Sequence, residues 1–136
     1  MKKILLCLFC FSLSLFSPAI LADEEGEVKN DYQYFLLEPD IITNYIKIGK
    51  RIGFVRISVD LMVNSQSDYE LLERHEPLIR DRIISIFGEQ NEDKVKSISE
   101  RELIRKHCLE DVNNLLFAET GTKPIKELIF TKYLYQ

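Results

Sequence analysis

The twelve residues from Ile52 to Val63 alternate strictly enough to constrain most of what the chain can become. Val55, Ile57, Val59, Leu61 and Val63 fall on one face, and Arg56, Ser58 and Asp60 on the other. A period of two marks a β-strand with one buried side. Such a strand needs partner strands along its edges and a layer over its apolar face.

The flanking segments supply both. Tyr32 to Leu37 reads as a short edge strand, stopped by Glu38-Pro39-Asp40. Ile41 to Ile48 continues extended, with Gly49 and Lys50 as a turn. Beyond the long strand, Asn64 to Ser67 is a polar break. A helix then follows, with Asp68 as its expected N-cap and Leu71, Leu72, Leu78, Ile79, Ile83, Ile86 and Phe87 at helical spacing. Pro77 interrupts this pattern, so the helix either kinks there or restarts with Pro77 in its first turn. Gly88 is the natural stop. A charged linker, Glu89 to Lys96, leads to a second helix announced by two capping pairs, Ser97 with Glu100 and Ser99 with Glu102. That helix carries Leu103, Ile104, Val112, Leu115 and Leu116, and Gly121 and Pro124 punctuate its exit. Ile125 to Tyr135 closes the chain as a strand, with Ile129, Thr131, Tyr133 and Tyr135 opposed to Leu128, Phe130 and Leu134. The order predicts a small α+β domain, an antiparallel or mixed sheet packed with two helices.

A chain of 136 residues has room for one such domain. Its N-terminus decides the compartment. Lys2 and Lys3 precede an uncharged run from Ile4 to Phe16, then Ser17-Pro18, Ala19-Ile20-Leu21-Ala22 and the acids Asp23 to Glu25. That is the layout of a signal peptide ending at Ala22. An uncleaved anchor over residues 1–22 is the competing reading, since Ile4 to Ala22 is barely long enough to cross a bilayer. The short apolar stretch and Pro18 favour cleavage. Either way the domain lies outside the cytoplasm, and the inner membrane is a partner only if the segment stays uncleaved. Residues 23–31 form a polar, flexible lead-in, and residues 32–136 the domain. Without residues 1–22 the chain keeps 16 of its 18 basic residues against 22 acidic ones, a net charge of −6. An acidic domain is a poor binder of phosphate backbones, which excludes nucleic acid as a partner.

Catalytic chemistry is hard to assemble from these residues. There is no G-x-S-x-G, phosphate-binding or dinucleotide-binding glycine pattern. His75 and His107 lack the additional ligands a metal site needs, and no cofactor or enzymatic activity is expected. His75 is expected to pack or to lie on the surface. Cys7 and Cys10 fall in the export segment, leaving Cys108 as a partly buried helix residue. Arg74, Arg80, Arg82, Arg101 and Arg105 are interleaved with acids, which predicts surface pairing along the helices, or else a charged assembly surface. Tyr32, Tyr34, Phe35, Phe130, Tyr133 and Tyr135 suit either cross-strand packing or interface anchors.

Taken in order, four segments resemble the FliL family of flagellar basal-body-associated proteins. Tyr34 to Asn44, with Phe35, Pro39 and Asn44, is similar to the family's entry motif of an aromatic strand, Leu-x-Pro and an apolar run before Asn. Arg51 to Val63 resembles its long amphipathic strand. Leu71 to Asp81 is similar to its His-x-Pro-x-Ile-Arg helix, matched here by His75, Pro77 and Arg80. Ile129 to Gln136 resembles its ending, with Phe130, Thr131 and Gln136. The resemblance implies a stomatin-like (SPFH-like) periplasmic domain and a structural role. It implies a homo-oligomeric ring at the basal body that supports stator assembly or torque through contacts with stator proteins. For these nine residues it implies a part in fold or assembly. A periplasmic scaffold or accessory binding module unrelated to motility is the alternative. Two departures stand out. The family's longer basic lead and transmembrane helix are replaced by two lysines and a signal-like segment, and the second helix begins Ser99-Glu100-Arg101-Glu102 without the glycine common there.

Overall fold

A computed structural model describes residues 31–136; the expected export segment, and the lead-in up to residue 30, lie outside the described residues. Strands β1 (Gln33–Leu36), β2 (Ile41–Ile46), β3 (Ile52–Val63) and β4 (Glu127–Tyr135) form one antiparallel sheet. Helix α1 (Gln66–Gly88), a short α2 (Glu92–Lys96) and α3 (Ile98–Thr120) intervene before the last strand. This is the α+β arrangement expected from the sequence.

β3 is the axis of the sheet. β1 and β2 lie end to end along one flank, Phe35 opposite Leu61 and Thr43 opposite Val55, and β4 runs along the other. Leu37 extends the β1 ladder by donating to the Val59 carbonyl at 3.0 Å. Residues 38–40 therefore stand against Ser58 alone. Pro39, reached through a cis peptide bond, has no N–H to offer a ladder. Three residues against one leave the in-out alternation unchanged, so Phe35, Leu37, Ile41, Thr43 and Tyr45 are all buried.

β4 behaves differently. Val59 pairs with Phe130 but Ser58 pairs with Lys132, which leaves Thr131 as the extra residue of a bulge. One added residue inverts the alternation. Phe130 and Tyr133 consequently share the inner side, their ring centroids 5.8 Å apart and both against Phe87. The expected opposition of these two residues is corrected by that bulge.

The inner row of β3 is 0–1% exposed, with Leu72, Ile79, Ile83 and Phe87 of α1 and Ile104, Cys108, Val112 and Leu116 of α3 completing the core. Both long helices thus cover the same side of the sheet. Their ends depart from expectation at the start of α1. Ser65, not Asp68, caps α1, its hydroxyl accepting from the Asp68 N–H at 3.1 Å. Asp68 is left in the first turn, where its charge suits the helix dipole. α1 ends at Gly88 as the sequence predicts, though without a left-handed φ there, and Pro77 lies inside a helix that runs on past it. The linker Glu89 to Lys96 contains α2, capped by Asn91. Ser97 caps α3 by accepting from Glu100, as the first capping pair predicts, and Ser99 lies inside the helix. Gly121 ends α3 at φ 78°, a conformation that favours glycine.

Gly53 answers to a close approach. It faces the fully buried ring of Tyr45, and a Cβ there would stand 2.3 Å from Tyr45 Cζ. Gly53→Ala is expected to cost about 1–3 kcal/mol through overpacking, read as a lower denaturation midpoint. In a Tyr45→Leu background the same change should cost less; equal costs in both backgrounds would show that the ring is not the obstacle.

Candidate assembly surface

The other side of the sheet carries no layer among the described residues. Outward positions on β1, β2, β3 and β4 bring sequence-distant side chains into rows across it. Asn44 stands opposite Phe54, and Arg56 lies between Ile42 and Leu134. Ile42, Phe54 and Leu134 are 64%, 54% and 57% exposed. With Arg56 and Gln136 they line a groove of about 400 Å³. Toward the opposite end, Tyr34 and Leu36 are also exposed.

A polar knot separates the two apolar ends. Asp40 Oδ1 accepts from Ser58 Oγ at 2.5 Å, while Oδ2 accepts from Arg56 Nε at 2.6 Å and from Lys132 Nζ at 3.1 Å. The Ser58 hydrogen bond, followed by those from Arg56 and Lys132, holds the Asp40 carboxyl well below the usual carboxylate range. Glu38, Asp40, Ser58, Asp60 and Lys132 line a second hollow of about 330 Å³.

Most of the nine residues singled out in the sequence tie the fold together. Phe35 is buried edge-on to Tyr69, with ring centroids 5.2 Å apart. The Pro39 carbonyl accepts from Arg80 Nη1 at 2.8 Å, and Arg80 Nη2 donates to Glu76 at 2.9 Å. Two segments far apart in sequence thus meet where α1 passes the corner between β1 and β2. Half-buried His75 donates from Nδ1 to the Leu71 carbonyl at 2.8 Å, and Pro77 is exposed. Phe130 is part of the aromatic cluster on Phe87, and Thr131 is the bulge. Gln136 donates its N–H to the Phe54 carbonyl at 2.9 Å and accepts from the Tyr45 hydroxyl at 2.8 Å. Asn44 points onto the outer face beside the groove that Gln136 helps to line.

The arginines divide between pairing and stacking. Arg105 pairs with Glu102 and also donates to the Leu128 carbonyl at 2.8 Å. Arg82 bridges to Asp111 across the two helices, and the Arg101 guanidinium lies 4.1 Å from the Tyr133 ring centroid. Cys108 is fully buried, and burial pushes its thiol up to about 12, far from nucleophilic character at neutral pH. No group of three or more His, Cys, Asp or Glu is placed to hold a metal among the described residues. Nor is any described helix long and apolar enough to cross a membrane. The sequence reading missed the Asp40 knot and the Ile42–Phe54–Leu134 groove. Asp40 marked only the end of a strand, and the three groove residues come from three strands whose register a sequence does not print.

The model of the flagellar basal body-associated protein FliL matches residues 34–136. The chain belongs to the FliL family. It is 28% identical over 102 residues to the flagellar protein FliL of Aquifex aeolicus (strain VF5), a match covering 75% of this chain and 60% of that relative. The chain therefore spans less than two thirds of that relative's length. The match takes in the sheet from Tyr34 onward together with all three helices.

The depressed Asp40 carboxyl makes a pH-dependent prediction. A carboxylate held below its ordinary value of about 3.9 stabilises the fold above that pH and loses its contribution as the pH falls below it. Asp40→Asn should lower the urea midpoint clearly at pH 7, keep most of that penalty near pH 3, and lose most of it near pH 2. A penalty equal at pH 7 and pH 2 would mean that the charge of Asp40 contributes nothing.

Proposed function

We propose that this FliL-family chain is a structural component of the flagellar basal body that forms a homo-oligomeric ring and supports stator assembly or torque. In this reading residues 1–22 export or anchor the chain, residues 23–31 link, and residues 32–136 form a stomatin-like domain in the periplasm. The observation that carries it is the uncovered sheet face. Tyr34, Leu36, Ile42, Phe54 and Leu134 are each about half exposed or more. At about 100 Å² apiece they present roughly 500 Å² of apolar surface, divided between the two sides of the Asp40 knot. Together with the polar rows between them, the face reaches the scale of about 800 Å² per partner that a stable interface buries.

The occupant proposed is the helical layer of a second copy. Leu103 and Phe117 are 57% and 54% exposed. At about 100° per residue they fall on the side of α3 opposite its buried row of Ile104, Cys108, Val112 and Leu116. Sheet face against helix face joins two different patches, and such head-to-tail contacts close into rings when the rotation permits. The nine residues resembling the family's motifs would serve this assembly chiefly by fixing the domain that presents both patches, Asn44 by direct contact.

Phe54→Asp and Phe117→Asp should each leave the chain folded by circular dichroism, because both residues are exposed, and each should abolish oligomers in analytical ultracentrifugation. Mixing the two variants should restore one junction and yield dimers. Both variants should also impair swimming. Oligomers that survive both substitutions would defeat the proposed contact, whereas intact swimming alongside lost oligomers would favour an envelope scaffold unrelated to motility.

A further inference from the structure

The turn joining β2 to β3 is chemically unlike the rest of the chain. From Ile41 to Val59 there is no acidic residue, and Lys47, Lys50, Arg51 and Arg56 are all basic, in a chain whose net charge is −4. The tip reads Ile-Lys-Ile-Gly-Lys-Arg-Ile from Ile46 to Ile52. Ile46 and Ile52 are cross-strand partners, Lys47 donates to the Arg51 carbonyl at 2.9 Å to close the hairpin, and Gly49 turns it at φ 78°. Three isoleucines are left in solvent: Ile48 at 74% exposed, Ile52 at 65% and Ile46 at 52%. Glu92 is the acidic group that meets this tip. It is held by the backbone N–H of Ile48 and by Lys96 Nζ at 2.5 Å, and these bonds keep its carboxyl below the usual range.

We propose that this hairpin tip docks on an anionic phospholipid surface, Ile46, Ile48 and Ile52 entering the headgroup boundary while Lys47 and Arg51 meet the phosphates. Two properties select lipid over an acidic protein. The apolar side chains lie exposed at the end of the hairpin, where the Ile46 N–H is held by the Gln90 carbonyl at 2.9 Å, and the groove lined by Ile42, Phe54 and Leu134 begins at Phe54, the next outward position along β3; a fluid surface closes around exposed side chains where a protein would need a matching cavity. The basic residues also alternate with the isoleucines along the tip, so their stems can lie along the apolar layer with the charged heads at the phosphates. Attraction of juxtamembrane Lys and Arg to anionic lipid is worth about a fivefold gain in binding for each. This inference is independent of the ring: it uses residues at the end of the hairpin, not the groove.

The chain has no tryptophan, so one introduced at the tip reports its surroundings alone. Full-length Ile48→Trp protein is reconstituted in mixed phosphatidylglycerol–phosphatidylcholine vesicles and in pure phosphatidylcholine vesicles. In the mixed vesicles its emission should shift to the blue and be quenched by brominated acyl chains; in pure phosphatidylcholine it should stay solvent-like. Tyr34→Trp serves as the reference, roughly 33 Å away along β3, and should escape quenching in both. Adding Lys47→Gln and Arg51→Gln to the tip probe should lower the ratio of inserted to exposed emission roughly 25-fold, with the oligomeric state unchanged. Three results would overturn the proposal. They are a tip tryptophan unquenched in the mixed vesicles, equal quenching at position 34, and a blue shift that appears without lipid, which would mark a protein contact instead.

Discussion

Burial of one face of β3 is the constraint on which the rest of the molecule depends. Val55, Ile57, Val59, Leu61 and Val63 are removed from water almost completely, each worth roughly 1.5–3 kcal/mol of transfer free energy. They reach that state only because α1 and α3 lie against the same side of the sheet. Every other strand is placed by reference to this row. β1 and β2 extend it on one flank and β4 on the other, so the inner surface is a continuous apolar sheet and the outer surface receives whatever the alternation sends there. The exposed Ile42, Phe54 and Leu134 are therefore not accidents of loop structure. They are fixed by register against the most buried strand in the chain.

Register also explains what could be read in the sequence and what could not. Period two in β3 and period 3.6 in the two long helices are properties of neighbouring residues, so element type and order were legible. The interruptions are not local in that sense. Residues 38–40 add two residues relative to β3 and preserve the alternation, so Phe35 and Tyr45 stay on one side as a naive reading of odd positions would have it. Thr131 adds one and inverts it. Nothing in Phe130-Thr131-Lys132 announces a bulge, because its signal is the pairing with Ser58 and Val59, more than seventy residues earlier. The same reasoning covers the caps. Ser65 and Asp68 are both good N-cap residues, and the choice between them rests on where the chain leaves β3.

The residues that resemble the family's motifs turn out to be mostly joints. Arg80 ties α1 to the corner at Pro39, and Tyr45 passes over Gly53 to reach Gln136 beside Phe54. Each joint links segments more than forty residues apart and fixes the outer surface, to which Gln136 also contributes at the rim of the groove. A substitution at such a joint would disturb contact indirectly, by shifting the strands that carry the groove. Separating the two kinds of residue is what gives variants at Phe54 and Phe117 their value, because both are exposed and neither supports the core.

The outer surface itself is divided by its own chemistry. The Asp40 knot gathers one carboxylate, two cations and a hydroxyl at the middle of the sheet, so its charges largely satisfy one another and need few new partners when covered. Apolar groups flank it on both sides, and beyond the groove, at the β2–β3 turn, the sequence becomes basic with Lys47, Lys50 and Arg51. A face that was apolar throughout would invite indiscriminate association. In the proposed assembly a paired polar centre would impose registration instead, since a sliding partner would leave Asp40 or Lys132 desolvated against carbon.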